Sequence, residues 1–298
     1  MAKMNLKKRI GEGLLILDGA MGTELMARGI EAGKCYDYQN IESPRIVFDI
    51  HRAYLLAGSD AIITNTFGAS KFALARHGFG DKVEEINTAA AKIARRVAGD
   101  DNYVLGDIGP CGDFLEPLGT VKPDELKDAF ALQAQALLAG GVDGFIIESM
   151  SALEEILIAI EAVKSVCTLP VFASMAFEST KNGFRTVMGV DVETAVSKIT
   201  SPGVDALGFN CGKMSLDNYI KLANQFVSIA EGLDVAVLAE PNAGLPQLVE
   251  DAIVYNVLPE DFAEAAEKIH SAGVNIIGSC CGSRPEHIEA VAKRLKNR

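Results

Sequence analysis

No apolar run in this 298-residue chain approaches the length that a membrane-spanning helix requires. The amino terminus, Met1 to Ile10, is basic, but the apolar stretch that follows, Leu14 to Leu17, runs straight into Asp18 and is too short for the core of a signal peptide. The cytoplasm is therefore the expected location. Positive charge is scarce as well: 28 Lys and Arg stand against 40 Asp and Glu, a net charge of −12. That balance argues against a nucleic-acid surface, which needs clustered cations to displace counterions. It also argues against an anionic membrane surface, since no basic amphipathic helix compensates. Only four histidines occur. His51, His270 and His287 fall in predicted helices and His77 closes a helical segment before Gly78, so none is expected at a functional rim and histidine acid–base work is not expected. What is present is ordinary for a packed globule, with 49% hydrophobic and 23% charged residues.

Short apolar runs alternate with helical patterns throughout. Strands are expected at Leu14–Asp18, Asp60–Thr64, Tyr103–Asp107, Gly144–Glu148, Pro170–Ala176, Ala206–Asn210, Val235–Glu240 and Asn275–Ser279. Most are continuously apolar, as strands buried on both faces should be. Ser43-Pro44, Lys122-Pro123 and Leu258-Pro259 put proline at the first helical position. Ser151-x-x-Glu154 and Ser283-x-x-Glu286 read as capping boxes. Within Asp124–Leu138, Leu126, Phe130, Ala134 and Leu137 share one helical face. A weak repeat, Ala57-Gly-Ser-Asp60, Gly140-Gly-Val-Asp143, Pro202-Gly-Val-Asp205 and Ala272-Gly-Val-Asn275, precedes each even-numbered strand, with glycine where a left-handed helix end suits it. Eight β-α units with this even-strand periodicity predict a single α/β domain over residues 1–298, a (βα)8 TIM barrel, against the alternative of an open sheet of five or six strands. The longest irregular stretches, Met21–Ser43, Glu178–Gly189 and Pro241–Pro259, all follow strands and belong on the face that carries chemistry.

The carboxyl ends of the strands collect the polar residues: Asp18-Gly-Ala-Met-Gly-Thr23, Asn65-Thr-Phe67, Asp107-Ile-Gly-Pro110, Glu148-Ser149, Phe177-Glu178, Asn210-Cys211, Glu240-Pro-Asn242 and Cys280-Cys281. Six cysteines in a reducing compartment are thiols rather than bridges. Cys211 follows the sixth strand and the pair Cys280-Cys281 the eighth, so in a barrel the three can converge on one ion. Thiolates are preferred ligands for zinc, and three of them leave a tetrahedral position open to a substrate. The alternatives are cysteines that serve as small apolar fillers and a structural zinc site, which is usually closed by four protein ligands. Cys35, Cys111 and Cys167 have no such company and read as packing residues. Asp18 and Glu148, carboxylates that end buried strands, need partners.

Asp18-Gly-Ala-Met-Gly-Thr23, Gly208-Phe-Asn-Cys211 and Gly278-Ser-Cys-Cys-Gly282 together resemble the zinc-dependent homocysteine S-methyltransferases. Within that family the chain is similar to the homocysteine-binding module of cobalamin-dependent methionine synthase; the betaine and S-methylmethionine enzymes belong to it too. The resemblance runs from Asp18 to the last helix and implies an enzyme that holds homocysteine as a zinc-bound thiolate and methylates it to methionine. It implies Cys211, Cys280 and Cys281 as ligands of Zn2+. It places Asp18, Thr66 and Glu148 around the amino-acid end of homocysteine, with backbone N–H groups of a glycine turn at Gly22 and Thr23 for its carboxylate. Asn242, in Glu240-Pro-Asn-Ala-Gly244, would fill the zinc position when substrate is absent; as a turn former beside Pro241 it has an equally plain reading.

The donor implied is methylcobalamin on a separate corrinoid protein or domain. The Asp-x-His-x-x-Gly motif of cobalamin modules has only one near match, Ala75-x-His77-x-x-Gly80, which lacks the aspartate. The other readings are a small donor such as S-methylmethionine or betaine, a different thiol, and a corrinoid demethylation system. Gly278-Ser-Cys-Cys also departs from the commoner Gly-Gly-Cys-Cys.

Overall fold

Eight parallel strands succeed one another around a nearly closed barrel: β1 (Leu15–Ile16), β2 (Ala61–Ile63), β3 (Tyr103–Ile108), β4 (Gly144–Met150), β5 (Val171–Met175), β6 (Ala206–Asn210), β7 (Ala236–Glu240) and β8 (Ile276–Ile277). They pair in the order β1-β8-β7-β6-β5-β4-β3-β2, and helices run between them on the outside. This is the expected (βα)8 barrel and not the open sheet. The computed structural model describes residues 3–249 and 252–296. Residues 1, 2, 250, 251, 297 and 298, parts of the basic amino terminus, of the Pro241–Pro259 stretch and of the chain end, lie outside the described residues.

Side chains alternate across each strand, and one alternate set fills the barrel. Leu15, Leu17, Ala61, Tyr103, Leu105, Ile146, Phe172, Ala206, Leu238 and Ile276 pack into an interior cluster that Leu6 and Ile10 of the helix Leu6–Ile10 close from below. The opposite set joins the larger cluster between sheet and helices. The helix Pro123–Gly140 buries Leu126, Phe130, Ala134 and Leu137, as their spacing predicts.

The repeat before the even strands has a physical role. Gly58, Gly141, Gly203 and Gly273 all have positive φ, between 79° and 117°. The acid two residues later turns back onto the preceding strand: Asp60, Asp143 and Asp205 carboxylates accept the N–H of Ile16, Val104 and Val171 at 2.8–3.0 Å. Lys3, Lys7 and Arg9 pair with Asp143, Asp205 and Asp60, so the basic amino terminus is the counter-charge of this end of the barrel. The β1–β2 seam closes without a ladder. Asp60 N–H donates to Ile16 O at 2.7 Å, and Asp18 Oδ2 accepts Ile63 N–H at 3.0 Å.

Several local expectations fail. The helix Leu153–Val166 is capped by Ala152, without a side-chain bond, so Ser151 forms no capping box. Ser283 does not cap the helix Pro285–Lys296 either; its hydroxyl accepts Ala20 N–H at 3.0 Å and donates to Cys280 O at 2.7 Å. A tie across the β1 and β8 loops has taken the hydroxyl from the helix end. The stretches expected to be irregular carry structure: helices Met21–Ala27 and Gln39–Glu42, a hairpin of Phe177–Thr180 with Gly183–Thr186, and a hairpin of Gln247–Val249 with Ala252–Val254.

Candidate functional site

The inward-facing set changes character at the carboxyl ends of the strands. Two residues beyond Leu105, Ile146, Phe172, Gly208 and Leu238 stand Asp107, Glu148, Ser174, Asn210 and Glu240. The same alternation that packs the barrel's lower interior thus delivers a polar layer above it. Asp107, Ser174, Asn210 and Glu240 are buried. A cavity of about 490 Å³ opens over this layer, a size ordinary for small-molecule sites. Asp107, Glu148, Glu240, Thr66, Gly22 and Thr23 line it, together with Cys211, Cys280 and Cys281.

At one side of the cavity the three cysteines meet. Cys281 Sγ lies 3.9 Å from Cys211 Sγ and 3.9 Å from Cys280 Sγ, and all three sulfurs are within 4.8 Å of one another. A tetrahedral zinc with Zn–S bonds of about 2.3 Å has sulfur edges of about 3.8 Å. The spacing therefore fits one zinc ion with three thiolates, and the chemistry of the donor set is right for it. Metal-free, the trio shares protons unevenly. Hydrogen bonds from Cys280 and Cys281 pull the Cys211 thiol down to about 3, while Cys281 is pushed up to about 12 chiefly by its bond to Cys211. Cys211 has φ 53°, a left-handed conformation rare outside glycine. Cys35 and Cys111 are buried in apolar clusters and Cys167 caps a helix end, as expected of packing residues.

Four carboxyls share this end of the barrel with the thiols. Asp18, Asp107 and Glu240 are held well above the ordinary carboxylate range, first by burial. Glu148 rises to about 7, through burial and then the Cys211 charge, against hydrogen bonds from Asp107 and Asn210 that lower it. None of the ion pairs among the described residues involves any of the four. Asp18 Oδ1, Asp107 Oδ1 and Glu240 Oε2 are buried without a hydrogen-bond partner, as are the hydroxyls of Thr23 and Ser279. Buried polar atoms left unpaired cost stability, so this layer awaits a donor.

The other expected site residues are placed with some changes. Gly22 and Thr23 lie in the first turn of the helix Met21–Ala27, not in a glycine turn, so their N–H groups are free of intrahelical bonds. Thr66 is fully buried and its hydroxyl is already used, bonding Asp107 O at 2.8 Å and the Thr64 hydroxyl at 2.7 Å. Asn242 is buried beside the thiols; its amide donates to Gly212 O at 2.8 Å and its Oδ1 has no partner. A histidine does reach the rim. His77 lines the cavity from the loop between β2 and the helix Val83–Ala98. Its place is set by the loop's top-face origin, which helical spacing alone concealed. Lys34, Tyr36 and Asp37 also line the mouth. Sequence reasoning assigned them no role; it placed Asp107, Asn210 and Glu240 among the polar strand ends but gave them no part in the site, which the inward register of each strand supplies.

Residues 15–295 match the family model described as homocysteine S-methyltransferase. Over 97% of its length the chain is 32% identical to methionine synthase of Mycobacterium tuberculosis and 31% identical to that of Mycobacterium leprae. It spans 25% of each of these proteins, a quarter of the length of the curated relatives it matches. In fold it resembles the metallated form of the homocysteine methyltransferase MmuM from Escherichia coli, with a TM-score of 0.80 at 21% identity over 98% of this chain and 100% of that one. A methyltransferase from Methanosarcina mazei superposes with a TM-score of 0.62 at 11% identity over 99% of both chains.

Proposed function

Because the chain belongs to the homocysteine S-methyltransferase family, we propose that it methylates homocysteine to methionine on a zinc-thiolate site, taking the methyl group from methylcobalamin carried by a separate corrinoid protein or domain. The observation that carries the reading is the pairing of two features at one cavity: three sulfurs spaced for zinc, and close by a layer of buried acids with no ion pair among the described residues. Homocysteine matches both. Its thiol suits the metal, and its ammonium is the missing cation.

Held by Cys211, Cys280 and Cys281, zinc would supply the Lewis acidity that strips the thiol proton and keeps the sulfur nucleophilic near neutral pH. The three cysteinyl thiolates keep that end of the site negative, so the substrate sulfur stays electron-rich. Asp18 and Glu148 receive the ammonium, and the N–H groups of Gly22 and Thr23 the carboxylate, in the first turn of a helix whose dipole favours an anion. Thr66 acts indirectly, by holding the Asp107 backbone in place. Asn242, whose buried Oδ1 has no hydrogen-bond partner, would be the side chain available to the metal when substrate is absent. As the S–CH3 bond forms, the donor's bond to the methyl carbon breaks and its electron pair stays with the corrinoid; the neutral thioether product would be a poorer ligand than the thiolate and free to leave.

The test is methyl transfer from methylcobalamin to homocysteine by the zinc-loaded protein, with other thiols alongside and with S-methylmethionine and betaine as alternative donors. Turnover with homocysteine and methylcobalamin is expected; no turnover with homocysteine from any donor sinks the reading. X-ray absorption at the zinc edge should gain a fourth sulfur on adding homocysteine, and Cys211→Ala should lose stoichiometric zinc. A coordination shell unchanged by thiol would mark a structural zinc instead.

A further inference from the structure

The Asn210 side chain meets groups at three strand ends, those of β4, β5 and β8. It is fully buried at the end of β6, one residue before Cys211. Its Oδ1 accepts the backbone N–H of Ser149 at 2.8 Å and the hydroxyl of Ser174 at 2.7 Å. A backbone N–H can only donate, so this contact fixes which way the amide faces. The Nδ2 is then committed to the other side. It meets Glu148 Oε2 at 2.5 Å and Ser149 Oγ at 2.6 Å, and Cys280 Sγ lies 3.9 Å away. The two residues flanking this knot in space, Ser149 and Cys211, have φ of 57° and 53°, the two positive values among the described non-glycine residues. Such backbones persist only where the surroundings over-determine them. Here the Ser149 N–H points at Asn210, and Cys211 follows Asn210 in the chain.

We propose that Asn210 is a positioning residue: its amide sets the Glu148 carboxylate in register with the three-cysteine site, so that the distance from metal to ammonium partner matches the length of the amino-acid substrate. The proposal deepens the functional reading above and rests on Glu148 as the ammonium partner. An amide is the side chain the place demands. A carboxylate would turn an acceptor oxygen toward Glu148 where the amide N–H now donates, and an aliphatic chain would orphan four polar partners.

The experiment measures binding of two thiols to the zinc-loaded protein by calorimetry: homocysteine, and 4-sulfanylbutanoate, which has the same chain without the amino group. Wild type should prefer homocysteine. In Asn210→Ser the homocysteine affinity should fall at least tenfold while the affinity for 4-sulfanylbutanoate stays within twofold and zinc remains stoichiometric. Ser174→Ala, which removes only one support of the amide, should show the same selective loss at about threefold, and serves if Asn210→Ser does not fold. Equal losses for both thiols would make Asn210 a general structural residue, and unchanged affinities would leave it no role; either overturns the proposal. If wild type does not prefer homocysteine, the ammonium reading of Glu148 fails on its own. The crystal structure of the zinc-loaded variant then decides: a Glu148 carboxylate displaced from its wild-type position supports positioning by Asn210, and one that stays refutes it.

Discussion

Asp143 and Glu148 stand at opposite ends of one strand and live in opposite circumstances. Asp143, just below β4, accepts hydrogen bonds from Lys3 and Val104 N–H at 2.9 and 2.8 Å and pairs with Arg95. Glu148, five residues on, has no cation; its neighbours are another acid, an amide and a thiolate that pushes its proton affinity up. The lower end spends its carboxylates on holding strands and terminus together. The upper end leaves them short of partners, which costs stability and suits them to the binding role proposed above. What distinguishes the two sets of acids here is thus the supply of counter-charge together with burial, not residue type.

The largest effects should come from neutralising each acid in turn. Glu148→Gln removes the charged partner of the ammonium, so the homocysteine KM should rise roughly ten- to hundredfold, matching the loss of a charge-assisted bond of about 1.5–3 kcal/mol. Its unfolding free energy in denaturant should stay within about 1 kcal/mol of wild type, because a buried like-charge repulsion goes with it. Asp143→Asn should do the reverse: about 2–3 kcal/mol of stability lost through two stranded cations, with KM and zinc content unchanged. If both variants lose stability alike, or both lose substrate affinity alike, the division between the two ends collapses.

How legible was this division beforehand? The strand count, the left-handed glycines and the convergence of Cys211 with Cys280 and Cys281 followed from apolar runs and spacing, because barrel strands announce themselves by period and length. The partners of the acids did not. Asp143 and Glu148 are both acids beside apolar runs, and only the fold brings Lys3 and Arg95 to one of them. Asn210 was equally hidden: nothing local says that its amide meets Glu148 two strands away. His77 does close a short helix, Lys71–Ala75, as read, but that helix sits in the loop above β2, so the histidine reaches the rim where none was expected. The inward register was available all along and would have marked Asp107, Asn210 and Glu240.

A second test uses the pH dependence of another upper-end acid. Asp37, at the cavity mouth, accepts Gly68 N–H at 2.8 Å and is raised by burial from 3.8 to about 6. A carboxyl that holds its proton more tightly folded than unfolded contributes stability that is complete below the unfolded value and lost as pH rises through the folded one. Asp37→Asn keeps an acceptor for Gly68 and removes the titration. The loss of stability between about pH 4 and pH 6.5 should therefore be smaller in the variant by roughly 2–3 kcal/mol, measured by denaturant unfolding across that range. Buried His51, lowered from 6.5 to about 4 by its surroundings, tilts the wild-type profile the other way as pH falls through this window. The difference between wild type and variant isolates Asp37. Parallel profiles would mean that burial without a cation does not set proton affinity at the upper end.

The smallest effect discriminates between two serines that the sequence makes look alike. Each precedes a helix, and each has glutamate three residues later. Were both capping boxes, alanine would cost each about 0.5–2 kcal/mol. In the fold the Ser151 hydroxyl makes no hydrogen bond among the described residues, and only its carbonyl is used, by Thr186. The Ser283 hydroxyl holds Ala20 N–H and Cys280 O, joining the loop that leads to Gly22 and Thr23 to the loop that carries two thiols. Ser151→Ala should therefore lie within about 0.5 kcal/mol of wild type. Ser283→Ala should cost about 1 kcal/mol for the bonds lost, and the zinc-loaded variant should release metal to a chelator several-fold faster. The pairing matters more than either number. Equal costs without faster release would return both serines to helix capping, and the upper end would lose a tie that holds its thiols against the helix Met21–Ala27.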